Sequence, residues 1–166
     1  VILSTGMASL EEIDEAVNLL MDKVPKLILL KCTSAYPAKD RDLNLNGINV
    51  LQNRYGLEVG FSDHSLDEHA SIIAYCKGAT VFERHVKLNA QVNTLDSAFS
   101  CTPADLKSYV GSLARTEAIL GDSNLGPCDA ERASLWERPS VVALIDIKVG
   151  DILTESNIGI RRPSVG

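Results

Sequence analysis

Two histidines stand where apolar, strand-like runs give way to polar loops: His64 ends Glu58-Val-Gly-Phe-Ser-Asp-His64, and His85 ends Ala79-Thr-Val-Phe-Glu-Arg-His85. Imidazole is largely neutral near pH 7 and is a good nitrogen donor, so two of them meeting at one place point to a divalent metal. Two other run ends are polar as well, Ser4-Thr-Gly6 and Cys32-Thr-Ser-Ala-Tyr-Pro37. Hydroxyls and backbone amides gathered there could hold the oxygens of a phosphate or carboxylate. The combined chemistry is an anion site beside a metal.

Each piece also has a plainer reading. A lone histidine at a strand end is most often a hydrogen-bonded structural residue; two on consecutive strands leave that reading and a metal evenly matched. Ser-Thr-Gly after a strand is weak, because Ser commonly caps the next helix and Gly commonly makes the turn. Glu83 shares the strand face of His85 by the two-residue period, which suits a group supporting the metal ligands, a proton shuttle or an ion pair with a lysine. His69 falls inside a helical stretch beside Glu68 and reads as solvated, and Asp96 alone reads as a plain loop carboxylate.

Four strand-helix units must position these residues. The first pairs Val1–Gly6 with a helix from about Ser9 to Asp22, opened by a Ser9/Glu12 capping box and striped by Ile13, Val17 and Leu20. The second joins Leu27–Cys32, through a polar loop reaching Asp42, to a helix from about Leu45 to Arg54 that Gly56 ends. The third pairs Val59–Ser62 with Leu66–Lys77, closed by Gly78. The fourth pairs Ala79–Arg84, after a long loop, with Pro103–Leu120, Pro at its first turn and Gly121 beyond its end. Apolar strands alternating with amphipathic helices predict an α/β fold with a parallel sheet covered by helices. Four units are half of a (β/α)8 TIM barrel, which needs about 250 residues; a four-stranded doubly wound sheet is the alternative. In either fold the carboxyl ends of the strands form the ligand face.

The helical period is lost after Gly121, and residues 121–138 read as a linker. Beyond it, Ser140–Leu144, Asp146–Leu153 and Ile158–Pro163 read as short β elements, with a brief turn over Asp151–Ile158, so 139–166 is expected to begin a small β-rich domain. The chain opens on an apolar strand without Met and closes just past a strand, so both ends read as cut.

The composition narrows the partners. With 166 residues and 45% hydrophobic content, the chain has material for a sizeable core. A net charge of −6 without a Lys/Arg stripe argues against nucleic acid or an anionic membrane surface. No apolar run approaches the roughly 18 residues that suggest a membrane span. Cys32, Cys76, Cys101 and Cys128 form no CxxC pair, which predicts reduced thiols and a cytoplasmic protein.

Taken together, Lys31-Cys-Thr-Ser-Ala-Tyr-Pro37, Gly60-Phe-Ser-Asp-His-Ser65, Glu83-Arg-His85 and Leu153-Thr-Glu-Ser-Asn-Ile-Gly-Ile-Arg-Arg-Pro163 resemble the sialic acid (nonulosonate) synthase family along nearly the whole chain. The resemblance implies a (β/α)8 barrel followed by a small antifreeze-like (SAF) domain, and an enzyme that condenses phosphoenolpyruvate with an N-acetylated amino sugar and releases phosphate. It makes His64 and His85 ligands of a divalent ion, manganese or magnesium. It places Ser4, Ser34 and Ser62 against phosphoenolpyruvate, Tyr36 and Asp96 against the sugar, and leaves Glu83 as the catalytic candidate. Lys31 stands where many members have His, and Asn93-Thr-Leu-Asp96-Ser-Ala-Phe-Ser replaces a Pro-Gly-Pro-Asp loop. These forms are closer to the pseudaminic acid synthase branch, so a diacetamido-trideoxy hexose competes with N-acetylmannosamine as acceptor. The resemblance also implies a domain-swapped homodimer, and about 130 residues before Val1 carrying the other half of the barrel. The 166-residue chain alone is therefore expected to be nearly inactive. Two other functions stay open: another phosphoenolpyruvate-using or aldolase-type barrel enzyme, and a non-catalytic half-barrel module.

Overall fold

A computed structural model describes residues 1–162. Contacts divide these residues into two units, Val1–Gly121 and the part from Asp122 onward.

The first unit is the repeating one. β1 (Ile2–Ser4) leads to α1 (Leu10–Leu20), and β2 (Ile28–Cys32) leads through α2 (Asp40–Leu43) to α3 (Gly47–Tyr55). β3 (Glu58–Asp63) is followed by α4 (His69–Cys76), and β4 (Phe82–Arg84) by α5 (Pro103–Leu120). Helix ends follow local chemistry. The Ser9 hydroxyl accepts from the Glu12 N–H while the Glu12 carboxylate accepts from the Ser9 N–H, and Thr102 and Asp105 repeat the arrangement at α5. Gly56 closes α3 at φ 63°, a left-handed conformation that costs glycine nothing.

The four strands are parallel and lie in the order β1-β2-β3-β4. Each crossover advances one position in the same direction. A doubly wound sheet reverses direction at a switch point, so the sequential order excludes that alternative and leaves the half-barrel. One face of the sheet is apolar: Leu29, Val59 and Phe61 pack with Ile13 and Val17 of α1, Ile48 and Leu51 of α3, and Ala70 and Ala74 of α4. The other face carries the alternate residues, among them the buried Leu30, Cys32 and Ser62.

The second unit is smaller. A short helix α6 (Asp129–Arg132) and a single 3-10 turn (Leu135–Glu137) occupy part of the stretch read from sequence as linker, and β5 (Ser140–Ala143) pairs antiparallel with β6 (Ile158–Arg161). Asp146–Leu153 is a turn instead of the expected β element. Gly150 sits at φ 97°, the Asp151 N–H donates to the Lys148 carbonyl, and the Asp151 carboxylate accepts from the Lys148 N–H. Pro163, the end of the last expected β element, lies outside the described residues.

Candidate functional site

The polar run ends converge where the sequence places them, at the carboxyl ends of β2, β3 and β4. Ser62 pairs in register with Glu83, and one residue past each strand His64 and His85 come together, ring centroids 5.1 Å apart and nearly perpendicular. His64 is buried and His85 half-buried. The His64 Nδ1 lies 2.9 Å from the Thr33 carbonyl oxygen. A carbonyl only accepts, so the neutral ring carries its proton on Nδ1 and keeps the Nε2 lone pair free. The His85 Nδ1 stands 3.6 Å from Asp96 Oδ2, longer than a hydrogen bond. That carboxylate favours the same tautomer at His85.

Two aromatic rings complete the cluster. Tyr36 lies 4.4 Å from His64 and 5.8 Å from His85, and Phe99 stands 5.3 Å from Tyr36 and 5.0 Å from His85. Tyr36 is exposed, so one side of its ring is available to a ligand. An open cleft of about 490 Å³ adjoins, lined by His85, Lys87, Thr94, Asp96 and Ser100 among others. Small-molecule sites commonly have this size.

The serines divide. The buried Ser62 hydroxyl donates to Glu83 Oε1 at 2.7 Å, so the partner of Glu83 is a serine and not the lysine held open from sequence. Ser34 lies half-buried beside Cys32, and a Cβ on Gly6 would come within 2.2 Å of its Oγ, so the ends of β1 and β2 meet closely there. Ser4 is exposed at the end of β1. Lys31 belongs to the other face: its ammonium donates to the Cys32 carbonyl and the Thr33 hydroxyl, and burial holds its pKa below the ordinary lysine value. His69 opens α4 in solvent beside Asp67.

Sequence reasoning missed the Thr33 carbonyl and Phe99, which reach the histidines from the loop after β2 and from the long loop after β4, and it missed the buried Asp63–Arg84 ion pair behind them. Only the last left a signal. Asp63 and Arg84 each immediately precede a site histidine, and the two-residue strand period puts them on one common face.

The model of the NeuB family matches residues 1–124. The chain belongs to the NeuB family. It is 40% identical to a pseudaminic acid synthase of Campylobacter jejuni over 99% of this chain and 48% of that protein. It is 36% identical to an N,N'-diacetyllegionaminic acid synthase of the same species, over 100% and 51%. Its fold superimposes with a TM-score of 0.71 and 35% identity on the crystal structure of an N-acetylneuraminic acid (sialic acid) synthetase from Leptospira borgpetersenii in complex with citrate, over 81% of this chain and 47% of that one. The chain therefore spans about half the length of the relatives it matches. The NeuB likeness accords with the half-barrel architecture. Among the described residues no helix is long and apolar enough to cross a membrane, and the four cysteines are free.

Proposed function

We propose that this chain forms the metal-and-acceptor end of a nonulosonate synthase, which condenses phosphoenolpyruvate with an N-acetylated amino sugar and releases phosphate. The observation that carries the reading is the meeting of His64 and His85, with the His64 Nδ1–H committed to the Thr33 carbonyl. Two imidazoles fit a divalent ion, manganese or magnesium. Among the described residues no cluster of three or more His, Cys, Asp or Glu joins them, so coordination positions would be left for substrate oxygens or water. When bound, such an ion would supply Lewis-acid polarisation of the sugar aldehyde.

This chain's own residues do the rest of the positioning. Asp96 and the cleft beside His85 suit the hydroxyls and acetamido groups of the sugar, with the open face of Tyr36 to stack against it. Ser34 and Ser4 offer hydroxyls toward phosphoenolpyruvate; Ser62 acts indirectly by holding Glu83. Glu83, anchored at one oxygen, keeps the other free to take or give a proton. In the reaction C3 of phosphoenolpyruvate bonds to the aldehyde carbon, whose oxygen takes up a proton. Water then adds at C2, and the tetrahedral carbon expels phosphate by C–O cleavage.

The 40% identity to a pseudaminic acid synthase favours a diacetamido-trideoxy hexose as acceptor over N-acetylmannosamine. Domain-swapped dimerisation and a cytoplasmic location belong to the same proposal. Mn2+ titration of the purified chain, followed by electron paramagnetic resonance, should show binding that His64→Ala and His85→Ala each abolish. Wild-type affinity in both variants would refute the metal reading. With phosphoenolpyruvate, Mn2+ and either sugar, the 166-residue chain alone should release almost no phosphate, and enzyme-level turnover would overturn that part.

A further inference from the structure

A charged residue stands immediately before each site histidine, Asp63 before His64 and Arg84 before His85, and the two are register partners across β3 and β4. They leave the sheet on the helix side. Arg84 Nη1 donates to Asp63 Oδ2 at 2.6 Å, and the two side chains are 5% and 0% exposed. Asp63 Oδ2 also accepts from Ser71 Oγ of α4 at 2.7 Å, and Ser71 is hydrogen-bonded to the Tyr109 hydroxyl of α5. The Tyr109 ring lies 5.1 Å from the guanidinium carbon. Among the described residues Arg84 Nε is buried without a hydrogen-bond partner.

Removing two charges from water costs several kcal/mol per ion, and an apolar pair of the same volume is often as stable. Stability alone is thus a poor reason for this pair, least of all with one nitrogen unsatisfied. Its geometry supplies a better one. From β4, Arg84 Nη2 donates to the Ser65 carbonyl at 2.7 Å and Nη1 to the Asp67 carbonyl at 3.1 Å, while Asp63 Oδ1 accepts from the Ser65 N–H at 2.8 Å. The residues on both sides of His64 are therefore tied to the residue that precedes His85.

We propose that the buried Asp63–Arg84 pair is a positioning clamp that fixes the spacing of the His64 and His85 imidazoles for a shared ligand. It rests on the reading of these histidines as metal ligands, yet it acts in the metal-free protein, so the two can fail separately. Lysine in place of Arg84 keeps a positive charge for Asp63 but cannot reach the Ser65 and Asp67 carbonyls at once. Arg84→Lys consequently separates bridging from charge neutralisation.

The test uses the 166-residue chain, with folding checked by circular dichroism and urea melting, and reads its three histidines by 15N-1H correlation of the rings. Wild type should show His64 locked with its proton on Nδ1, and exposed His69 as an averaging reference. In Arg84→Lys, still cooperatively folded, the His64 signal should average between tautomers and Mn2+ affinity should fall about 10- to 100-fold, as for other groups that orient metal ligands. Ser71→Ala, which loosens Asp63 without unpairing a charge, should show the same change in smaller measure and decides the matter if Arg84→Lys does not fold. A folded variant with wild-type ring signals and wild-type Mn2+ affinity overturns the clamp. If wild type binds no Mn2+, the metal reading fails and the tautomer comparison alone judges the clamp.

Discussion

Replacing Gly60 by alanine should unfasten β4 from β3. Gly60 lies mid-strand opposite Leu30, and a Cβ there would stand 2.1 Å from the Val81 carbonyl oxygen and 2.6 Å from Leu30 Cδ2. Relief needs a movement on the order of 1 Å, given that comfortable non-bonded separations are about 3.5 Å. The leucine can rotate. The carbonyl cannot recede freely, because it accepts the Phe61 N–H at 2.8 Å and so holds the two strands together. Leaving that buried N–H short of its partner costs about 1–3 kcal/mol, and overpacking adds about 1–3 kcal/mol. The lower entropy of the unfolded alanine chain returns about 0.4–1 kcal/mol. The net loss is roughly 1–6 kcal/mol, set against the roughly 5–15 kcal/mol that holds a domain folded. Urea melts followed by far-ultraviolet circular dichroism would read this as a midpoint lower by about 1–3 M. The control is Gly111→Ala on the exposed side of α5, where a Cβ meets nothing within 4 Å and helix propensity should add about 0.8–1 kcal/mol. Gly60→Ala melting within about 0.5 kcal/mol of wild type, or Gly111→Ala destabilising as much as Gly60→Ala, would refute the argument.

Two titrations probe the remaining polar contacts. Hydrogen bonds from Arg54 and Tyr55 hold the Asp14 carboxyl down to about 2. A depressed folded pKa contributes stability that is present above the ordinary aspartate value and lost as pH falls through about 2. Urea midpoints of Asp14→Asn should therefore fall less between pH 5 and pH 2.5 than those of wild type, and an identical fall would remove Asp14 from the acid response. Burial pushes the Tyr109 phenol up to about 12. A raised folded pKa gives stability that is present below the ordinary tyrosine value near 10 and lost as pH rises through about 12. Burial raises the Tyr55 phenol as well, so absorbance at 295 nm should show late-ionising tyrosines of which one disappears in Tyr109→Phe, and an unchanged profile would count against its burial.

What could be read from sequence was local or periodic. The Ser9/Glu12 cap and the span of α5, with Pro103 in its first turn and Gly121 past its end, follow from spacings within a few residues. The meeting of His64 and His85 follows from strand ends sharing one face. Other features depended on distant groups. The start of α4 falls at His69, later than the apolar pattern suggested, because Arg84 and Ser65 Oγ take the Asp67 carbonyl in a turn. Thr33 supports His64 through a backbone carbonyl, an atom every residue carries and no pattern singles out.

The two motifs Phe61-Ser-Asp-His64 and Phe82-Glu-Arg-His85 are each two sequences interleaved. In both, the first and third residues face the helices: Phe61 is fully buried, Phe82 stacks on Tyr75, and Asp63 pairs with Arg84. The second and fourth form the inner face, where Ser62 bonds Glu83 and His64 meets His85. A one-residue slip in either strand would exchange its two sets, splitting the ion pair by bringing one of its members to the inner face and putting an imidazole into the apolar layer. The burial of Phe61 that favours the correct register therefore also assembles the site, and the same hydrophobic gain that folds β3 sets which of its residues can do chemistry.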